Sequence, residues 1–153
     1  MCILIDTNCF SSVFKRNSKD HSQFEPVLKW ILEGKGVIVV GGDTYMNELR
    51  QQRDFLTLIR LLKDIGKVYF GDTVAINDHE KRIRKAISDP DFDDPHLPAI
   101  VLDTSCKLIC SKDKRSVNFV KMACLYPNKS FIPVYYSGNR NKKLLSEAYI
   151  SEK

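Results

Sequence analysis

Residues 2–8 read CILIDTN, four apolar residues that end on a carboxylate. An apolar run this short, with no polar alternation, predicts a strand covered on both faces, which is the mark of a parallel sheet. Comparable runs recur at Val37–Val40, more loosely at Lys107–Cys110, and at Phe131–Tyr136. Between them the apolar spacing turns helical. Within Phe24–Leu32 the apolar positions are Val27, Leu28, Ile31 and Leu32. Within Thr44–Ile65 a stripe of Tyr45, Leu49, Leu56 and Ile59 runs beside Phe55, Leu58, Leu62 and Ile65. Glycines punctuate these segments: Gly34 and Gly36 come after the first helix, Gly41 and Gly42 after the second strand, and Gly66 closes one long helix over 44–65. GKVYFGDTVAIND, residues 66–78, reads as a further strand and a capped helix. The alternation predicts an α/β fold, a central and mostly parallel sheet flanked by helices.

A chain of 153 residues fits one domain, with residues 1–136 as its body. Residues 137–153, SGNRNKKLLSEAYISEK, form a basic tail that either packs on the rim or moves freely. The net charge is +5, and it is segregated: RNSK, KRIRK, SKDKR and NRNKK carry the bases, SDPDFDD the acids. A positive field around an acidic spot suits a polyanion held over a metal ion better than a membrane surface. The five cysteines are odd in number and include no C-x-x-C pair, so they read as reduced thiols packed in the core of a cytoplasmic protein. No stretch approaches the roughly 20 apolar residues of a membrane span, and no basic-then-apolar leader opens the chain.

Asp6 ends the first strand, and ligands of open parallel sheets bind beyond the carboxyl ends of strands. Taken alone, Asp6 reads as a cap for a helix starting near Asn8. Three other acids answer it. Glu48 stands about one turn into the helix after the second strand, on the face of Thr44. Asp94, in DPDFDDPHLPAIVLD, precedes a proline at a helix start, which by itself explains it as an N-cap, but Asp89, Asp91 and Asp93 then form a like-charge cluster in need of cations. Asp103 is out of phase with Asp94 and should face elsewhere. Asp113, in LICSKDKR, ends the third apolar run, with Ser111 pointing the same way.

Oxygen-only donors select a hard divalent ion, Mg²⁺ or Mn²⁺. His21, His79 and His96 form no metal pattern and read as surface or partly packed residues. There is no phosphate-cradling glycine loop and no serine elbow, which leaves hydrolysis by a metal-activated water. Lys112, Lys114 and Arg115, with Arg50 and Arg53, are candidate phosphate contacts or ordinary solvated charge.

These motifs resemble the PIN-domain nucleases, including the VapC-type toxins of bacterial toxin–antitoxin pairs, over roughly Cys2 to Tyr136. ILIDTN resembles the family's opening strand and first acid, and TYMNEL its glutamate-bearing helix. DPHLPAIVL is similar to its acid-led helix, and LICSKD to its strand ending in Thr or Ser, any residue, then Asp. The resemblance implies a Rossmann-like PIN fold and a Mg²⁺- or Mn²⁺-dependent endoribonuclease. It implies ligand roles for Asp6, Glu48, Asp94 and Asp113, supported by Asn8 and Ser111. Capping would then fall to Thr7 or Asn8. It further implies an RNA substrate, an antitoxin or other inhibitory protein, and a homodimer; a phage-defence effector is the neighbouring context. Two other readings stay open: a non-catalytic PIN-like module that binds RNA or protein, and a DNA-directed PIN-type nuclease. The chain departs from the family pattern at Pro98, in the strand-plus-helix reading of 66–78, and in the basic tail.

Overall fold

The computed structural model describes residues 1–145. In chain order the elements are β1 (Cys2–Ile5), a 3₁₀ turn (Thr7–Cys9), α1 (Phe10–Phe14), α2 (His21–Glu33), β2 (Val37–Val40), α3 (Asp43–Arg50) and α4 (Arg53–Asp64). Next come β3 (Val68–Phe70), α5 (Thr73–Ala86), α6 (His96–Thr104), β4 (Leu108–Cys110), α7 (Lys114–Val120) and β5 (Val134–Tyr136), with 3₁₀ turns at Ala123–Leu125, Lys129–Phe131 and Asn139–Leu145.

The five strands form one sheet in the order β3-β2-β1-β4-β5, and every pairing is parallel. This is the parallel α/β sheet that the apolar runs predict, with the Rossmann-like arrangement that the resemblance implies. β1 lies at its centre: Cys2 stands opposite Val37 and Leu4 opposite Ile109. Ile3, Leu4 and Ile5 are fully buried, as a strand covered by helices on both faces requires. The chain winds outward from β1 to β3 and then crosses back to β4, so the winding reverses between β1 and β4. In sheets of this kind the ligand crevice forms at such a reversal, beyond the strand ends.

Several elements differ from expectation for local physical reasons. The helix expected over 44–65 is two helices, broken at Gln51 and Gln52, where the Gln52 amide bonds back to the Leu49 carbonyl at 2.9 Å. The break rephases the apolar stripe. Six residues from Leu49 to Phe55 leave an unbroken helix about a third of a turn out of register, yet Phe55, Ile59 and Leu62 are the residues that α4 buries. Leu56 is only half-buried, and Ile65 is exposed. On α2 the buried stripe is Phe24, Val27, Trp30 and Ile31, while Leu32 faces out. β5 starts at Val134 rather than Phe131, because Pro133 has no amide to donate and the first ladder bond is Val134 N–H to the Lys107 carbonyl.

The strand and capped helix read in 66–78 are β3 and α5, with the Asp72 carboxylate accepting from the Ala75 amide. The first part of the basic tail packs against α2: the Asn139 amide donates to the Gln23 side chain at 3.1 Å, and Leu145 is buried. Residues 146–153 lie outside the described residues. Cys9, Cys106 and Cys110 are buried free thiols, Cys2 is half-buried and Cys124 is exposed. Among the described residues, no helix is long and apolar enough to cross a membrane.

Candidate active site

The crevice at the β1/β4 reversal is built by the residues just beyond each strand. Asp6 comes directly after β1, and its amide donates to the Cys110 carbonyl at 2.9 Å, which pins it to the end of β4. Its side chain is only 3% exposed. Ser111, the residue after β4, donates its hydroxyl to Asp6 Oδ2 at 2.9 Å and accepts from the Asp113 amide at 3.1 Å. Asp113 caps α7, with Oδ1 accepting from the Arg115 amide at 2.9 Å.

Asp94 reaches the same edge from the other side. It does not cap α6 with its side chain; its carboxylate accepts from the Ser116 hydroxyl at 2.5 Å. Ser116 Oγ also lies 3.3 Å from Asp113 Oδ2, so one buried serine bridges two of the acids. Phe92 anchors the approach to Asp94, its ring stacked on Phe119 at 5.1 Å. Of the neighbouring acids, Asp93 has a cation, Arg115 at 3.7 Å, while Asp89 accepts only from the Asp91 amide. Asp103 turns away, accepting from the Asp72 amide.

Glu48 approaches from α3. It accepts a 2.6 Å hydrogen bond from Thr7 Oγ1, and His96 Nε2 stands 3.7 Å from the same oxygen. Thr7 is therefore a tether for Glu48 and not a helix cap, and no side-chain cap bond forms at either Asp6 or Cys9. Thr44, expected to share the Glu48 face, instead donates to Glu80 on α5. His96 corrects the surface reading given to it: it is 1% exposed, and neither ring nitrogen has a hydrogen-bond partner among the described residues. Two buried histidine nitrogens without hydrogen-bond partners are costly, and the ring acts on both Glu48 and Asp94.

The electrostatics record the crowding. Burial, then the like charges of Asp94 and Glu48, push the Asp6 carboxyl up to about 6, against the Ser111 hydroxyl and the Asn8 amide. Burial also raises Asp94, with Asp113 and Glu48 adding to it and Ser116 and His96 opposing. Each of these two acids thus feels burial first and the negative charge of its neighbours second.

Protein-family models, curated proteins and solved structures give no match to this chain. Its chemistry is read from these residues alone.

The donor set fits a hard divalent ion in kind: carboxylate oxygens at the strand ends, with like charges raising Asp6 and Asp94. The carboxylates are spent, however, on Ser111, Ser116, Thr7 and backbone amides. Among the described residues no three His, Cys, Asp or Glu side chains gather closely enough to hold a metal.

The remaining expected contacts divide. Lys112 is held by Ser12 at 2.9 Å and Asp20 at 3.0 Å. Arg115 serves Asp93 and Asp113. Lys114 is exposed beside the crevice. Arg50 is engaged with Asn47 on its own helix, and Arg53 lines a separate hollow with Ser11 and Lys15. Asn8 is exposed, with no side-chain bond to the acids among the described residues. Sequence reasoning missed Ser116 and His96. Their only local signals are a serine three residues after a capping aspartate and a histidine two after Asp94.

Proposed function

We propose that this chain is a metal-dependent endoribonuclease of the PIN type, acting as the toxin of a toxin–antitoxin pair or as a phage-defence effector. The observation that carries the reading is Asp6: a buried carboxylate at the sheet's winding reversal, held by Ser111 and repelled by Asp94 and Glu48. A fold does not keep such a cluster for stability, since crowded acids cost free energy in the absence of a cation. Asp6, Glu48, Asp94 and Asp113 are the residues that would hold Mg²⁺ or Mn²⁺. When bound, such an ion supplies charge to the phosphate and acidity to a water.

The chain's own groups do the rest. Ser111 fixes the orientation of Asp6, and Ser116 sets the spacing of Asp94 and Asp113. Thr7 and His96 bracket Glu48. The exposed Lys114 beside Asp113 gives the anionic strand a first electrostatic contact. The test is cleavage of matched single-stranded RNA and DNA oligonucleotides with Mn²⁺, Mg²⁺ or chelator. The proposal expects metal-dependent cutting of RNA that is lost in Asp6→Asn. Cutting confined to DNA would replace it with the DNA-directed reading.

One observation favours a second reading, a non-catalytic module that docks RNA or a protein. Each acid already has a hydroxyl or amide partner, and no three converge among the described residues. RNA binding that is indifferent to chelator, in a protein whose melting temperature ignores Mn²⁺, supports that reading instead.

A further inference from the structure

We propose that the cavity between α7 and the end of β5, beside Asp113, is a nucleotide subsite that seats the base and phosphate flanking the scissile bond of a single-stranded RNA. The inference rests on the nuclease reading for its place in a reaction, though not for the binding itself. The cavity measures about 480 Å³, within the range of small-ligand pockets, and Ser111 and Asp113 line it as well as belonging to the acid cluster. A strand whose phosphodiester lies over the acids therefore continues directly into it.

Its walls carry the chemistry of a nucleotide rather than of a bare anion. Lys114 and Arg140 supply positive charge, and neither has an acidic partner among the described residues. Lys112 also lines the cavity, but its ammonium is already taken by Asp20 and Ser12. Arg140 is oriented by Ser137, whose hydroxyl accepts from its guanidinium at 3.4 Å and itself donates to Asn141 at 2.9 Å. Asn118, exposed on α7, offers both an amide donor and an acceptor to a base edge. Tyr135 adds an aromatic wall; Lys121 Nζ lies over one face of its ring, 5.7 Å from the centroid, and its buried hydroxyl has no hydrogen-bond partner among the described residues. Single-stranded RNA is recognised by this combination: cations for phosphate, a planar ring for the base, and an amide for its edge.

The test uses the full chain and a fluorescein-labelled single-stranded RNA in EDTA, read by anisotropy, so that binding is measured without cleavage. Arg140→Ala should weaken binding at least fivefold and reduce the slope of log affinity against log salt by about 0.7, one phosphate contact on a single strand. Asn118→Ala should weaken binding with the slope unchanged. Arg84→Ala, an exposed arginine paired with Glu80 on α5, is the control and should leave affinity as it was. Melting temperatures verify that each variant is folded. Wild-type affinity in both Arg140→Ala and Asn118→Ala, or an equal loss in Arg84→Ala, overturns the subsite. Tighter binding of a matched DNA with the same Arg140 dependence overturns the RNA assignment. If Arg140 governs binding but the wild type cleaves nothing in Mn²⁺, the subsite stands and the nuclease reading falls.

Discussion

Ser111 donates its hydroxyl to Oδ2 of Asp6 at 2.9 Å, joining the residues just after β1 and β4 across 105 positions of sequence. Both partners are buried, so Ser111→Ala leaves a carboxylate oxygen and the Asp113 amide without a partner. The expected cost is about 1 to 3 kcal/mol in urea unfolding, and the Asp6 carboxyl should titrate above its present value of about 6. An unchanged unfolding midpoint would count against the part assigned to this bond.

The pH dependence of stability arises from the same carboxyl. Unfolded, Asp6 ionises near its ordinary value of 3.8; folded, it holds its proton until about pH 6. Between those values the native state binds the extra proton, so this contribution is largest below about pH 4 and is lost as pH rises to about 6. The gap corresponds to about 3 kcal/mol as an upper limit. Asp6→Asn keeps an acceptor for Ser111 and removes the charge. In metal-free buffer it should exceed wild type in stability by about 1 to 3 kcal/mol at pH 7.5 and converge with it near pH 4. Parallel pH profiles for the two proteins would rule out a strained buried charge at this position.

Gly42 and Gly66 share a positive φ, +77° and +76°, but not their surroundings. A methyl group at Gly42 would meet Ile76 at 2.5 Å, whereas at Gly66 it meets nothing within 4 Å. Gly66→Ala should cost only the backbone penalty of about 1 kcal/mol, while Gly42→Ala adds a clash at the entry to α3 and costs about 2 kcal/mol or more. Because α3 carries Glu48, Gly42→Ala should also weaken Mn²⁺ binding where Gly66→Ala does not. Denaturant titrations and calorimetry on the two variants check both halves.

Phe92→Ala removes a buried ring stacked on Phe119 and loosens the segment that presents Asp94. A loss of about 3 kcal/mol is expected on unfolding, with weaker Mn²⁺ binding in the variant that remains folded at low temperature. A loss below about 1 kcal/mol, less than the usual cost of deleting a buried ring, would mean that the stack does not hold this segment.

The sheet was legible because buried parallel strands leave short unbroken apolar runs, and CILI, VIVV and LIC all fall inside strands. The four acids were legible in place because Asp6 and Asp113 follow strands, Asp94 precedes a helix and Glu48 lies on the short helix after β2, positions that the topology sends to one edge. Their partners were not. Ser116 reaches Asp94 across 22 residues and Thr7 reaches Glu48 across 41, contacts that no local period encodes. His96 reads as a surface residue until α6 packs inward over most of its length. The α3/α4 break escaped for a related reason: Gln51 and Gln52 are not helix breakers, and the burial of Phe55 against Phe10, with ring centroids 5.3 Å apart, sets the phase of α4.

If Asp6, Glu48, Asp94 and Asp113 act together on a hard divalent ion, thermal unfolding at pH 7.5 with and without Mn²⁺ must register it. At a hundredfold excess over the dissociation constant, binding adds about 2.7 kcal/mol to the folded state, which for a chain of this size raises Tm by about 5 to 10 °C. That rise is expected in the wild type, and its loss in Asp6→Asn. A wild type whose Tm does not move with Mn²⁺, or an equal rise in Asp6→Asn, would refute a shared metal site at these four acids.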